Sequence, residues 1–143
     1  MLSNLLIAFS LMAVCVAIHA MGLMAVFRWM QARARGAEAF WSSTWQLVRI
    51  AAWTVLLHLL QIVVWALVYA VAGAMPDFTT AAYFSAVTYT TTGYGDVVLP
   101  QEWRLVGGVE ALTGILMCGL STGLFLTVFT RIFVSKRDSA QPA

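Results

Sequence analysis

Three stretches of this chain carry almost no charge, and they limit its fold more than any other feature. No Asp, Glu, Lys or Arg occurs from Met1 to Phe27 or from Ile50 to Pro76, and from Leu105 to Thr130 the one charged residue is Glu110. Each stretch exceeds the roughly 20 residues that an α-helix needs to cross a bilayer's hydrocarbon core. A soluble domain of 143 residues, with 62% hydrophobic and 10% charged side chains, lacks the polar groups to cover its surface. The expectation is an all-α membrane protein with three transmembrane helices. The first stretch reads as a span and not a cleaved signal peptide. It has no basic n-region, its apolar run exceeds the usual length of about 7–15 residues, and no clear cleavage site precedes Arg28.

The basic residues orient the spans. Arg28, Arg33, Arg35 and Arg49 lie around the first connection, Arg131, Lys136 and Arg137 follow the third span, and only Arg104 lies between spans two and three. The positive-inside rule then predicts a cytoplasmic first loop and C-terminus, with the N-terminus and the segment around residues 77–102 outside, in a cell (inner) membrane. These basic residues flank spans, so topology accounts for them and a nucleic-acid partner is not expected. In the first connection, Trp41 and Trp45 share a helical face among arginines, as in an interfacial elbow, and Ser42, Ser43 and Thr44 offer N-cap oxygens for the second span. His58 and Gln61 share a face of that span, which is expected to meet another helix. His19 reads as a hydrogen-bonded packing residue and Cys15 and Cys118 as small apolar packing residues.

Between spans two and three lies a segment of another kind. Gly73 and Pro76 end the second span, and Asp77 or Thr79 can cap a new helix. From Phe78 to about Tyr89 the residues are mostly alanine, aromatic and β-branched, with no charge, which points to a re-entrant helix enclosed by protein. Thr91-Thr92-Gly93-Tyr94-Gly95-Asp96 follows. For a row of carbonyls to point one way, alternate residues must take left-handed dihedrals, which glycine accepts cheaply. Four such segments around an axis stack rings of carbonyl oxygens, with the Thr91 hydroxyl adding another, and such rings replace the hydration shell of a dehydrated cation. No nucleophile–base pair or metal-ligand cluster suggests an enzyme, and no cofactor is expected beyond a permeant cation.

The segment resembles the potassium-channel signature T-V-G-Y-G followed by Asp, and its setting is similar to the pore module of bacterial potassium channels. The resemblance covers roughly residues 44–133. It implies an outer helix over 45–72, a pore helix over 78–90, a selectivity filter over 91–95 and an inner helix over 103–133, within a pore domain of 45–134. Residues 1–29 then form an added peripheral helix, 30–44 a cytoplasmic or interfacial loop and 135–143 a short tail. The implied assembly is a fourfold homotetramer in the bilayer, passing K+ between carbonyls of Thr91, Thr92, Gly93 and Tyr94. Tyr94 would pack outward against the pore helix, and Asp96 would sit behind the outer mouth, bonded to Tyr83. Thr92 replaces the family's Val or Ile and its hydroxyl needs a partner, while Val87 stands where some members carry a Glu that pairs with the post-filter Asp. In the inner helix Arg104 resembles the family's opening Arg. Gly114 falls at the hinge position, with Gly119 as its rival, and Ile115, Cys118 and Thr122 on the cavity face.

Glu110 is expected to face away from that cavity, as a structural acid behind the pore helix or as a gating group. Two other readings stay open: a non-conducting accessory or scaffold subunit, and a weakly selective cation channel because of Thr92. With no Arg-repeat helix and about ten residues after Phe133, neither a voltage sensor nor an attached ligand-binding domain is expected.

Overall fold

The structure, a computed structural model, describes residues 2–33 and 40–138, with side chains for 2–32 and 41–131. It consists of helices α1 (Leu2–Arg33), α2 (Phe40–Val71), α3 (Phe78–Tyr89) and α4 (Arg104–Asp138), with a 3-10 turn at Gln101–Trp103 leading into α4. No strand occurs among the described residues. Three of the helices are long and apolar enough to cross a membrane, over Leu2–Ala32, Trp41–Val71 and Gln101–Arg131.

Two contacts fix how the long helices run. Near one end, the Asn4 amide of α1 donates to the Glu102 carbonyl at 3.0 Å. Near the other, Val26 of α1 packs with Ile50 of α2 and Leu124 and Val128 of α4. So α1 and α4 run parallel and α2 runs against both. The short α3 starts at the first end, descends to mid-depth at Tyr89, and the chain returns as residues 90–100. Polar side chains line the inside of this bundle: His19, Gln61, Ser85, Glu110 and Thr113 are completely buried, while Leu59, Leu60, Leu67, Leu112 and Leu126 are exposed. That inversion suits a chain whose surroundings are hydrocarbon, where unpaired polar groups cost more than exposed leucines.

The connection between α2 and α3 follows from its glycine. Gly73 takes a left-handed φ of 67°. Its N–H reaches the Ala70 carbonyl at 3.2 Å, and the Ala74 N–H reaches Tyr69 at 2.9 Å, the pair of bonds that closes a Schellman end. Asp77 then caps α3, its carboxylate accepting from the Thr80 N–H at 2.9 Å and the Thr80 hydroxyl at 2.8 Å. These bonds hold the Asp77 carboxyl below its ordinary pKa.

The helices are longer than the sequence suggests. α1 continues to Arg33 and α2 already starts at Phe40, so less of 30–44 is loop than expected. Ser42, Ser43 and Thr44 therefore lie inside α2 and do not cap it, and the capping position falls outside the described residues. The reason is local: residues 40–49 contain neither Gly nor Pro to stop a helix. The Arg49 guanidinium also stacks 4.9 Å from the Trp29 ring centroid, joining the two helix ends. α4 likewise runs to Asp138, past the expected end at 133, and shows no break at Gly114 or Gly119.

Candidate functional site: a backbone ladder after α3

Residues 91–95 alternate in backbone hand. Thr91, Gly93 and Gly95 have φ of 60°, 54° and 80°, and among the described residues only Gly73 shares that sign. Alternation of this kind turns successive carbonyls to one side, where an ordinary strand would point them to both. At Gly93 and Gly95 an added Cβ would meet nothing within 4 Å, so dihedral freedom and not crowding calls for glycine there. Thr91 adopts the same hand with a β-branched side chain, at a cost of about 1–2 kcal/mol. Hydrogen bonds to α3 offset that cost. The Thr91 N–H donates to the Thr88 carbonyl at 2.9 Å, and the Gly93 N–H to the Val87 carbonyl at 3.0 Å. Val87 thus supports the ladder through its backbone.

Thr92 finds its partner in Thr90. Their hydroxyl oxygens are 2.9 Å apart, and the Thr90 hydroxyl also lies 2.7 Å from the Ala86 carbonyl, which can only accept. Thr90 therefore donates to Ala86 and accepts from Thr92. At the far end of the ladder, the Tyr83 hydroxyl donates to the Asp96 carboxylate at 2.7 Å. That bond raises the Tyr83 phenol above its ordinary pKa. The side chain of Tyr94 is 71% exposed, so this chain's own α3 does not cover it as the resemblance implied.

Behind α3, Glu110 is completely buried and turned away from the exposed face of α4. Its carboxylate accepts from the Tyr69 hydroxyl of α2 at 2.8 Å and pairs closely with the Ser85 hydroxyl of α3. Three elements meet on this one side chain. Gly114 serves a similar purpose by being small: a Cβ there would collide with the Tyr89 carbonyl oxygen and lie 2.8 Å from its carbon. α4 can approach the end of α3 this closely only at glycine. Gly119 is different, with nothing within 4 Å of an added Cβ. Ile115, Cys118 and Thr122 are all exposed on the same single chain. Arg104 opens α4, its Nε donating to the Leu99 carbonyl at 3.3 Å.

Sequence reasoning missed several members of this framework: Tyr69, Ser85, Tyr89, Thr90 and Ser121. Tyr69, Ser85 and Ser121 are hydroxyls in largely apolar runs, Tyr89 and Thr90 lie among other hydroxyls, and each finds a partner on another turn or helix. A depth signal was present for one pair, since His19 and Ser121 lie the same number of residues from the starts of the parallel helices α1 and α4.

Comparison with known proteins agrees with the geometry. The model of a family described as "Ion channel" matches residues 52–131, from within α2 to Arg131 in α4. Over 55 residues the chain is 40% identical to the "Potassium voltage-gated channel protein Shal" of Drosophila melanogaster, covering 37% of this chain and 10% of that one. The chain thus spans about a tenth of the length of the relative it matches. No solved structure gives a significant match.

Proposed function

Given that the chain belongs to this ion-channel family, we propose that it is the subunit of a homotetrameric, potassium-selective channel of the cell membrane. The observation that carries the proposal is the alternating hand of Thr91, Gly93 and Gly95. One chain supplies one side of a carbonyl ladder; a cation stripped of water needs oxygens on all sides, which four chains about an axis provide. In this reading the carbonyls of Thr91, Thr92, Gly93 and Tyr94 and the Thr91 hydroxyl coordinate K+, and the Tyr83–Asp96 bond braces the outer mouth. A neighbouring subunit covers Tyr94. Ile115, Cys118 and Thr122 line the cavity below, and the exposed leucines of α1 and α2 face lipid. The N-terminus lies outside and the C-terminus in the cytoplasm, as the arginine distribution favours.

In this reading residues 45–134 make the pore domain and α1 is a helix added to it. The Thr92–Thr90 bond supports selectivity for potassium, because it occupies the hydroxyl that replaces an apolar side chain. The test is flux of K+ and Na+ through purified protein in liposomes, with oligomer mass in detergent measured in parallel. A tetramer passing K+ far faster than Na+ is expected. Equal fluxes would refute selectivity, and absence of K+ flux under every condition would refute the channel.

A further inference from the structure

Five polar side chains meet at mid-depth, where hydrocarbon offers no partners. Gln61 Nε2 lies 2.9 Å from His19 Nδ1, and His19 Nε2 lies 3.1 Å from Ser121 Oγ. Ser121 Oγ is also 3.1 Å from His58 Nε2, and His58 Nδ1 is 3.0 Å from the Tyr89 hydroxyl. Tyr89 returns to Gln61 Oε1 at 2.6 Å. The circuit closes on itself, with members from α1, α2, α3 and α4. His19 lies outside the matched family region of 52–131, so an added helix is tied into the pore module. Tyr89 is the last residue of the pore helix, two residues before the left-handed Thr91.

Counting protons shows what the circuit requires. The Gln61 carbonyl only accepts, so Tyr89 donates to it and accepts from His58 Nδ1–H. Neutral His58 then accepts at Nε2 from Ser121, which accepts from His19 Nε2–H. Neutral His19 accepts at Nδ1 from the Gln61 amide. Every member gives one proton and takes one. Turning the Gln61 amide over reverses each bond and leaves the count unchanged. An imidazolium has two donors and no acceptor, so protonating one histidine makes Ser121 accept from both rings and turn its own proton out of the circuit, and protonating both leaves either Gln61 and His19 donor against donor or Tyr89 with no acceptor for its proton in the circuit.

We infer that this circuit is a positioning device for the filter end of the pore helix, and that protonating its imidazoles loosens Tyr89 and lowers conduction. The inference rests on the channel reading above. Other titratable groups face the same region: Cys15 from α1, Tyr69 from α2, and Cys118 and Glu110 from α4. The sequence places no other charged residue in 1–27, 50–76, 78–95 or 105–130, so Glu110 is the one carboxylate in reach. Its partners are Ser85 and Tyr69, separate from the circuit.

The experiment measures K+ flux of full-length protein in liposomes from about pH 8 to about pH 4, a window that includes the ordinary imidazole range near 6.5 and extends well below it. Wild-type flux should fall by about fivefold or more, the shift that one lost hydrogen bond produces. Replacing both histidines (His19→Gln with His58→Gln) supplies one donor and one acceptor per site without titration. That protein should conduct and lose the pH response, whereas Glu110→Gln should keep it. Flux that is present but flat with pH in wild type, or a response that survives in the double variant, overturns the circuit and leaves the channel standing. No flux at any pH overturns the channel reading and the circuit's role with it. If the double variant does not fold, imidazole nitrogen NMR on wild type decides. Both rings should be neutral at about pH 8 and become imidazolium over the range where flux falls; rings that stay neutral throughout that fall overturn the inference.

Discussion

Replacing Gly114 with alanine tests whether this glycine is a contact or a bend. The added Cβ would lie 2.8 Å from the Tyr89 carbonyl carbon, and closer still to its oxygen. Comfortable carbon–carbon contact begins near about 3.5 Å, so the pore helix and α4 would have to part by about 0.7 Å or more. The obstacle is backbone held by α3, and it cannot rotate aside as a flexible side chain can. Overpacking of this kind costs about 1–3 kcal/mol per site, or about 4–12 kcal/mol over the four sites of the proposed tetramer. That is comparable to the whole stability of about 5–15 kcal/mol typical of a folded domain. Gly114→Ala should therefore melt far earlier in detergent, and tetramer that survives should conduct poorly because Tyr89 and the adjoining ladder shift. Gly119→Ala meets nothing within 4 Å and should assemble normally, with a small gain from helix propensity. Thermal melting by size-exclusion, followed by liposome flux, makes the comparison. A Gly114→Ala tetramer as stable as wild type, altered only in its opening, would refute the contact argument and favour a hinge.

Two further substitutions probe the side chains around the ladder. Glu110→Ala strands the buried Tyr69 hydroxyl, at about 1–3 kcal/mol, while the Ser85 hydroxyl keeps the Ile62 carbonyl at 3.0 Å, and it should lower the melting temperature, whereas Glu110→Gln retains an acceptor and should fall much less; equal melting of the two variants would contradict the three-way contact. Thr92→Val removes a hydroxyl that Thr90 already occupies and leaves Thr90 bonded to Ala86, so stability should change by less than about 1 kcal/mol and the K+ to Na+ flux ratio should hold. A large change in that ratio would mean that Thr92 acts on the ion path.

Much of this arrangement is legible in the sequence because membrane insertion writes large signals. Runs with almost no charge mark the three spans, and the spacing of Gly93 and Gly95 announces a backbone that must turn the same way twice. Thr91 is harder to read, since nothing about threonine predicts a φ of 60°; the Thr88 carbonyl imposes it. Glu110 could be placed behind the pore helix by counting turns from the helix start, yet its partners could not be named. Which hydroxyl reaches it depends on how far α3 descends and how α2 is rotated. The same limit hid the partners of His19, because its contacts lie 42 and 102 residues away in sequence. Loop ends were misread for another reason: serines and threonines that can cap a helix can equally sit inside one when no glycine or proline stops it.

The bonds from Thr91 to Thr88 and from Gly93 to Val87 have a consequence for how this stretch can diverge. The ladder works on a period of two, and it is anchored a fixed number of residues behind itself. One residue inserted between Thr88 and Gly95 would exchange the left-handed and right-handed positions, putting β-branched or aromatic side chains where glycine is needed. A deletion would do the same. Descendants of this sequence are free to change letters here far more readily than they can change the number of letters, so alignment gaps should cluster at residues 97–100 and spare 88–95.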